Sequence, residues 1–544
     1  MTHLGQLLRQ DVLRAMRPLL AMAVATAIAH VAILTTMNEA VARLTDADAV
    51  SRLLLMFVAA NMLYSLFQVQ YMRMASKRIE RAIAELRNRL VTRVCAAEML
   101  DVNTIGHARV TEALGSEFQT ISQAVPTIVV GSHCLAVVLL ASLYVVTFSV
   151  ETFCLLVLIA GLQIVITWRA GRKMDDGVGD AHDSTIELAD RVRGLMAGFR
   201  EAKINPVRAR RIQEDIAATA HKVMKQRAAA NVRYARDYTT AESMYYISVG
   251  AVIFLLPAIA TVRLDTITMA ANAISFIVYP LHILMASLPT YLNAENAART
   301  VLNVDGKLNI AALKPPAEAW ANFRSLSLEK LGFRHSMEAG SFSVGPLDLT
   351  VRQGEIVFVT GGNGSGKSTM MHMLLGLYPA SRGHIRVDGR TVDADTVASY
   401  RQLFSVIFSD NHLEREIIGV PAVDEPFADE LLELLEMSDK VRIENGAFST
   451  VALSGGQRKR LALVAALLER KPILVLDEWA ADQSPQFRET FYRRILPWIQ
   501  AQGTTVIAVS HDDKYFDVAD QLIQVTNGRI VTLEASAVSL AQMS

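Results

Sequence analysis

The sequence predicts two domains of different class: an all-α domain of six membrane-spanning helices, then an α/β domain. Three observations carry that expectation. Six uncharged runs, each near the roughly 20 residues a helix needs to cross ~30 Å of hydrocarbon, fill the first half. A segment containing Pro315 and Pro316 then interrupts the pattern. Beyond Phe323 short apolar strands, glycine turns and amphipathic helices take over.

Composition agrees. Of 544 residues, 51% are hydrophobic and 20% charged, and the mean hydropathy is positive, a balance that calls for lipid to solvate the apolar excess. The length exceeds a single ordinary core. Fifty-four basic residues balance fifty-four acidic ones, so no overall field marks a nucleic-acid binder. Cys95, Cys134 and Cys154 lack metal-ligand spacing and read as packing residues rather than a disulfide framework.

The expected domains are residues 1–303, a linker at 304–322, and residues 323–544. The uncharged runs lie near Pro18 to Asn38, Leu53 to Met72, Gln123 to Val150, Thr152 to Trp168, Ser243 to Val262 and Thr266 to Asn293. Only Glu151 divides the third from the fourth, which places a tight hairpin there. The first run exceeds a signal-peptide core and five further spans follow it, so it reads as a span.

Orientation comes from the loops. Arg73, Lys77, Arg78, Arg81, Arg87, Arg89 and Arg93 follow the second span, and Arg169, Arg172, Lys173, Arg191 and Arg193 follow the fourth. The other connections are short and poor in Lys and Arg, so the positive-inside rule puts both termini and both long segments in the cytoplasm. Those segments, Arg73 to Ser122 and Arg169 to Glu242, have helical composition and are expected to form stalks. The polar residues within spans, His30, Asn61, Gln68, His133, Asn272 and His282, either line a substrate path or bond helix to helix, the commoner role. Pro126, Pro257, Pro280 and Pro289 are candidate kinks.

The chemistry sits in the second domain. The buried-strand pattern Glu355 to Thr360 runs into Gly361, Gly362, Asn363, Gly364, Ser365, Gly366, Lys367, Ser368 and Thr369, where a helical run begins. This is G-x-x-x-x-G-K-[ST] in its strand, loop, helix context, the mark of the α/β P-loop NTPase class. The glycines let backbone N–H groups converge on phosphate oxygens at a helix N-terminus. Lys367 is expected on the β and γ phosphates of ATP, and Ser368 on Mg²⁺. A second strand, Pro472 to Leu476, ends in Asp477 and Glu478. Asp477 suits the magnesium shell, and Glu478 suits the orientation and deprotonation of an attacking water. Between them Leu453-Ser454-Gly455-Gly456-Gln457 opens a helix with Ser454 as its N-cap.

LSGGQ, together with this phosphate loop and acidic strand, resembles the ATP-binding cassette (ABC) transporter family, and six spans followed by a cassette is that family's half-exporter layout. The resemblance implies that Ser454, Gly455, Gly456 and Gln457 close over ATP held by a second subunit, most simply an identical chain. It implies that His511 contacts the γ-phosphate. Three departures accompany it. Ser409 stands where the family places a magnesium-contacting glutamine, and His335 stands where an adenine-stacking tyrosine is common. Ser484 occupies the usual place of an aspartate in the loop after Glu478, with Asp482 as the alternative carboxylate.

The strings DEWAADQ, Phe408-Ser409-Asp410 and Phe342 to Leu347 resemble the bacterial branch that exports cyclic peptides and peptide siderophores, of pyoverdine and syringomycin type. That implies a Gram-negative inner membrane, a peptide or siderophore cargo and an outer-membrane or periplasmic export partner. The rivals are a lipid or multidrug flippase with the same engine and a membrane ATPase that regulates a partner without transport. An importer fits less well, since importers usually keep the cassette on a separate chain.

Overall fold

Uncharged sequence with few breakers satisfies its backbone within helices, and among the described residues the first unit is built of helices joined by short turns. It comprises Met1–Val91 with Ala108–Gly306; the second comprises Thr92–His107 with Lys307–Ser544. The computed structural model describes residues 3–7, 9–172, 175–259, 264–308, 320, 323–334, 343–410 and 412–533.

Among the described residues, four helices are long and apolar enough to cross a membrane: Pro18–Ala42, Ala47–Ala96, His107–Val146 and Thr266–Lys307. Val150–Leu162 and Glu242–Ala258 are shorter apolar helices. Each of the six expected runs therefore falls on an apolar helix, except that residues 260–262 at the end of the fifth lie outside the described residues. The helices that matter below are α1 (Arg9–Ala42), α2 (Ala47–Ala96), α3 (Met99–Ile105), α4 (Phe118–Val146), α5 (Val150–Arg172), α6 (Asp175–Ala197), α7 (Pro206–Gly250) and α8 (Leu264–Ala286).

Small side chains bring these helices together. Ala141 of α4 and Ala270 and Ala273 of α8 are fully buried in one cluster with Leu34, Val145, Leu156 and Ile274, as expected where packing and not the hydrophobic effect drives association. Leu54, Leu55, Met62 and Leu66 of α2 and Leu139 and Leu143 of α4 point outward and are largely exposed, a surface suited to lipid. Asn272 donates to Asn38 Oδ1 at 3.0 Å, and Asn38 donates to the Tyr144 hydroxyl at 3.3 Å, linking α1, α4 and α8. Among the described residues Asn61 bonds only to Phe57 of its own helix. The rings of His30 and His133 stack at 5.7 Å. Pro126 and Pro280 lie inside α4 and α8, and Pro257 follows a π-helical turn, Ala251–Leu255.

The expected stalks are not single rods. The first turns through the short α3, which ends at Gly106 with φ 90°. The second turns through Phe199–Ile204 and restarts at Asn205, whose side chain accepts from Val207 and Arg208 N–H at 3.1 Å, with Pro206 in the first turn.

In the second unit, β1 (Ser325–Arg334), β2 (Ser343–Arg352), β4 (Arg382–Val387) and β5 (Arg390–Thr391) form an antiparallel sheet. A six-stranded sheet contains β3 (Ile356–Thr360), β6 (Phe404–Ile407), β7 (Ile473–Asp477), β8 (Thr505–Val509), β9 (Gln521–Thr526) and β10 (Arg529–Leu533), in the order β10-β9-β3-β8-β7-β6. All its pairings are parallel except β9 with β10. Alternate residues serve two cores: Phe358, Leu474, Leu476 and Ala508 face one, and Val357, Val359, Val475 and Ile507 face the other. Burial on both faces explains why these strands read as continuous apolar runs. Met99 and Leu100 of α3 pack against the second of these cores, and Arg401 donates to Glu98 at 2.8 Å. Of the expected linker, residues 309–319 and 321–322 lie outside the described residues.

Candidate active site

The phosphate loop leaves β3 at Gly361, whose φ is 146°; a Cβ there would come 2.3 Å from the Val525 carbonyl oxygen, so only glycine fits. Gly364 and Gly366 also have positive φ. The loop delivers the chain into α9 (Lys367–Leu374), whose first-turn N–H groups have no intrahelical acceptor and carry the positive end of the helix dipole. Lys367 is buried, and its Nζ donates to the carbonyls of Gly361 at 2.8 Å and Gly362 at 3.1 Å, inside the cradle it helps to form. Gly362, Asn363, Gly364 and Ser368 are exposed, and Thr369 is half-buried. The buried Ser365 hydroxyl has no hydrogen-bond partner among the described residues, while its carbonyl accepts from Gly528 N–H at 2.8 Å.

Asp477 ends β7. Its register with Val509 of β8, and that of Val509 with Val359 of β3, put it two strands from the loop, about 9.6 Å at the usual spacing. Glu478 then turns out of the strand at φ 49°, a left-handed conformation that costs a non-glycine residue roughly 1–2 kcal/mol. Several contacts hold it there, among them Ala481 N–H donating to its carbonyl at 3.3 Å. Its N–H donates to Val509 O at 3.2 Å, its carbonyl accepts from Lys459 Nζ at 3.3 Å, and its carboxylate lies 3.3 Å from His511 Nε2.

The turn is braced on both sides. Lys459, buried in α10 (Gly455–Leu468), also pairs with Asp482 at 2.8 Å, and the Trp479 indole donates to Lys459 O at 2.8 Å. Arg488 donates to Asp512 Oδ1 at 2.9 Å and to Ala481 O at 3.1 Å, so it joins the loop after Glu478 to the loop carrying His511. Tyr492 donates to Asp512 Oδ2 at 3.0 Å; burial pushes its phenol up from the ordinary value, which keeps the proton on it. The sequence motifs did not single out Lys459, Arg488 or Tyr492. For Lys459 a signal was present: a lysine two residues before the buried run Leu461 to Val464.

The signature residues form the N-terminus of α10. Ser454 accepts from Gln457 N–H at 3.4 Å and Gln457 Oε1 accepts from Ser454 N–H at 3.1 Å, a complete capping box. A Cβ on Gly456 would meet the Asp482 carbonyl oxygen at 2.7 Å, whereas one on Gly455 would meet open space. Ser409 is exposed, just beyond the end of β6, which pairs with β7 at Ile407 and Leu476. Ser484 caps the helix Pro485–Thr490 by accepting from Phe487 N–H at 3.3 Å. Asp482, the alternative carboxylate, is instead engaged by Lys459. His335 lies outside the described residues.

Residues 344–481 match the family model described as ABC transporter. The chain is 31% identical over 473 residues to the ATP-binding protein SyrD of Pseudomonas syringae pv. syringae, with 83% of each chain covered. The chain belongs to the ABC transporter family. This half-exporter has an ATPase domain that couples ATP hydrolysis to transport. Its fold is that of a solved bacterial Atm1-family ABC exporter with ATP bound, at a TM-score of 0.80 and 16% identity, covering 98% of this chain and 100% of the other. A shorter similarity, 33% over 202 residues and 34% of each chain, links the exporter to the ATP-dependent lipid A-core flippase of Haemophilus ducreyi.

Proposed function

We propose that two identical copies of this exporter move a cyclic peptide, a peptide siderophore or its precursor out of the cytoplasm across the bacterial inner membrane. The observation that supports this cargo is the similarity to ATP-binding protein SyrD along most of the chain, joined to the strings DEWAADQ and Phe408-Ser409-Asp410. The Lys- and Arg-rich segments after the second and fourth expected spans argue for a cytoplasmic cassette and cytoplasmic termini.

One chain carries one phosphate loop and one signature, so each ATP is enclosed by the loop of one copy and the N-terminus of α10 of the other. Lys367 gives up the Gly361 and Gly362 carbonyls for the β and γ phosphates, and the loop N–H groups take the remaining oxygens. Glu478 orients the attacking water and accepts its proton. His511, set by the Arg488 and Asp512 contacts, directs its ring at the γ-phosphate. Magnesium, when bound, neutralises phosphate charge, and the Ser368 hydroxyl with the Asp477 carboxylate would hold it. Among the described residues no cluster of three ligating side chains forms a cage, and a hydroxyl plus a carboxylate suits an ion that arrives with phosphates. Closure of the cassettes then tilts the membrane helices, and loss of the γ-phosphate resets them.

The test is ATPase activity in lipid nanodiscs, wild type beside Glu478→Gln, with and without a cyclic peptide or siderophore precursor. Stimulation by that ligand, absent in the variant, supports the reading; turnover that ignores peptides and responds to lipid A would favour a flippase, the alternative to which the H. ducreyi similarity points. Lys367→Ala should abolish nucleotide binding.

A further inference from the structure

A cavity of about 410 Å³ opens between α7 and α8, lined by Glu242, Tyr245, Tyr246, Ser275, Val278, Tyr279 and His282. Glu242 and the two tyrosines after it start the apolar stretch Glu242–Ala258, and Tyr279 and His282 come from the later part of α8. The Tyr245 hydroxyl bonds to Ser275 Oγ at 3.2 Å, which ties the two helices together and fixes that ring. Tyr246 packs edge-on against Tyr245 at 5.3 Å. Tyr246 and Tyr279 each expose 65% of their surface.

We propose that this cavity receives an ammonium group of the cargo, with Glu242 as counter-ion and Tyr246 and Tyr279 as its aromatic walls. The inference rests on the peptide-export reading and narrows its cargo to cationic molecules. Among the described residues Glu242 is the sole carboxylate lining the cavity. Among the described residues it has neither an ion pair nor a hydrogen bond, and its side chain is exposed, so a carboxylate at the start of an apolar helix is open to an incoming cation. Tyrosine faces carry negative quadrupole density and attract an ammonium within about 6 Å of the ring centre. The volume holds one side chain with its charged end and not a whole cyclic peptide. The cavity therefore reads one feature of the cargo. A belt of tyrosines that merely marks headgroup depth would place the same rings here, but it would show no preference for charge in a ligand.

The full-length protein in nanodiscs supplies the test. Its ATPase is titrated with gramicidin S, a cyclic peptide whose only charges are ornithine ammonium groups, and with the N-acetylated, uncharged form, each variant being normalised to its own basal rate. The charged form should reach half-maximal stimulation at about tenfold lower concentration. Glu242→Gln should abolish that preference, Glu242→Asp should retain it, and the double change Tyr246→Leu with Tyr279→Leu should weaken it while the Phe counterparts preserve it. Equal stimulation by the two peptides, or a preference that survives Glu242→Gln, overturns the ammonium site and leaves peptide export standing. Failure of both peptides to stimulate overturns the peptide cargo and this site with it. If Glu242→Gln does not assemble, the exposed tyrosines still decide between the two outcomes.

Discussion

His511 Nε2 lies 3.3 Å from Glu478 Oε1. The two side chains are 46% and 40% exposed, open to a substrate beside them. In the proposed roles Glu478 takes a proton from water and His511 meets the γ-phosphate, so both act on one reaction centre and their losses should not add. Glu478→Gln should lower ATP turnover by about 10²–10⁴-fold with nucleotide binding retained. Adding His511→Ala to that variant should cost much less than His511→Ala alone; additive losses in single-turnover assays would separate the two residues.

Lys459 and Asp482 form a lopsided pair, with side-chain exposures of 9% and 58%. Lys459→Ala also takes one of two donors from the Glu478 carbonyl and removes a buried stem, a cost of about 1–3 kcal/mol. Asp482→Asn disturbs an exposed partner, at less than about 1 kcal/mol. Thermal unfolding and ATPase rate should both rank Lys459→Ala as the more damaging; equal effects would mean that the lysine does not brace the turn.

Gly455 and Gly456 are neighbours with different tolerances. Gly456→Ala drives a methyl against the Asp482 carbonyl at 2.7 Å, and Gly455→Ala does not. Hydrogen exchange over residues 479–484 should accelerate in the first variant and stay at the wild-type rate in the second.

Arg401 grips Glu98 at 2.8 Å and the Gly376 carbonyl at 3.1 Å through Nε, so α3 is bonded to the cassette it packs on. Arg401→Gln should keep basal ATPase within about threefold and remove most cargo stimulation, on the ground that a half-exposed ion pair contributes about 1 kcal/mol or less. Exchange of the two charges, Glu98→Arg with Arg401→Glu, should restore part of it. Undiminished stimulation in Arg401→Gln would exclude this contact from coupling.

The Asn38 and Asn272 amides bridge two membrane helices at 3.0 Å. Asn38→Leu should destabilise the solubilised protein by about 0.6–1.7 kcal/mol, the range found for such bonds, measured as the loss of monodisperse protein on heating.

The sequence alone determined the two-class architecture, the six apolar helices and the motif residues. An apolar run has one way to satisfy its backbone in lipid, and the phosphate loop and capping box are contiguous strings whose geometry follows from local φ, ψ and hydrogen bonds: Gly361 to Ser368, and Ser454 with Gln457. Only the tertiary structure decided what depends on register between distant segments. It set His511 against Glu478 through adjacent parallel strands, placed Lys459 beneath Asp482 and assigned Ser484 to a helix cap. It also put α3 with the cassette and gathered Glu242, Tyr246 and Tyr279 around one cavity. Nothing in a local string encodes those meetings, because they arise where separately folded elements pack, and side-chain volume and strand pairing choose the neighbours.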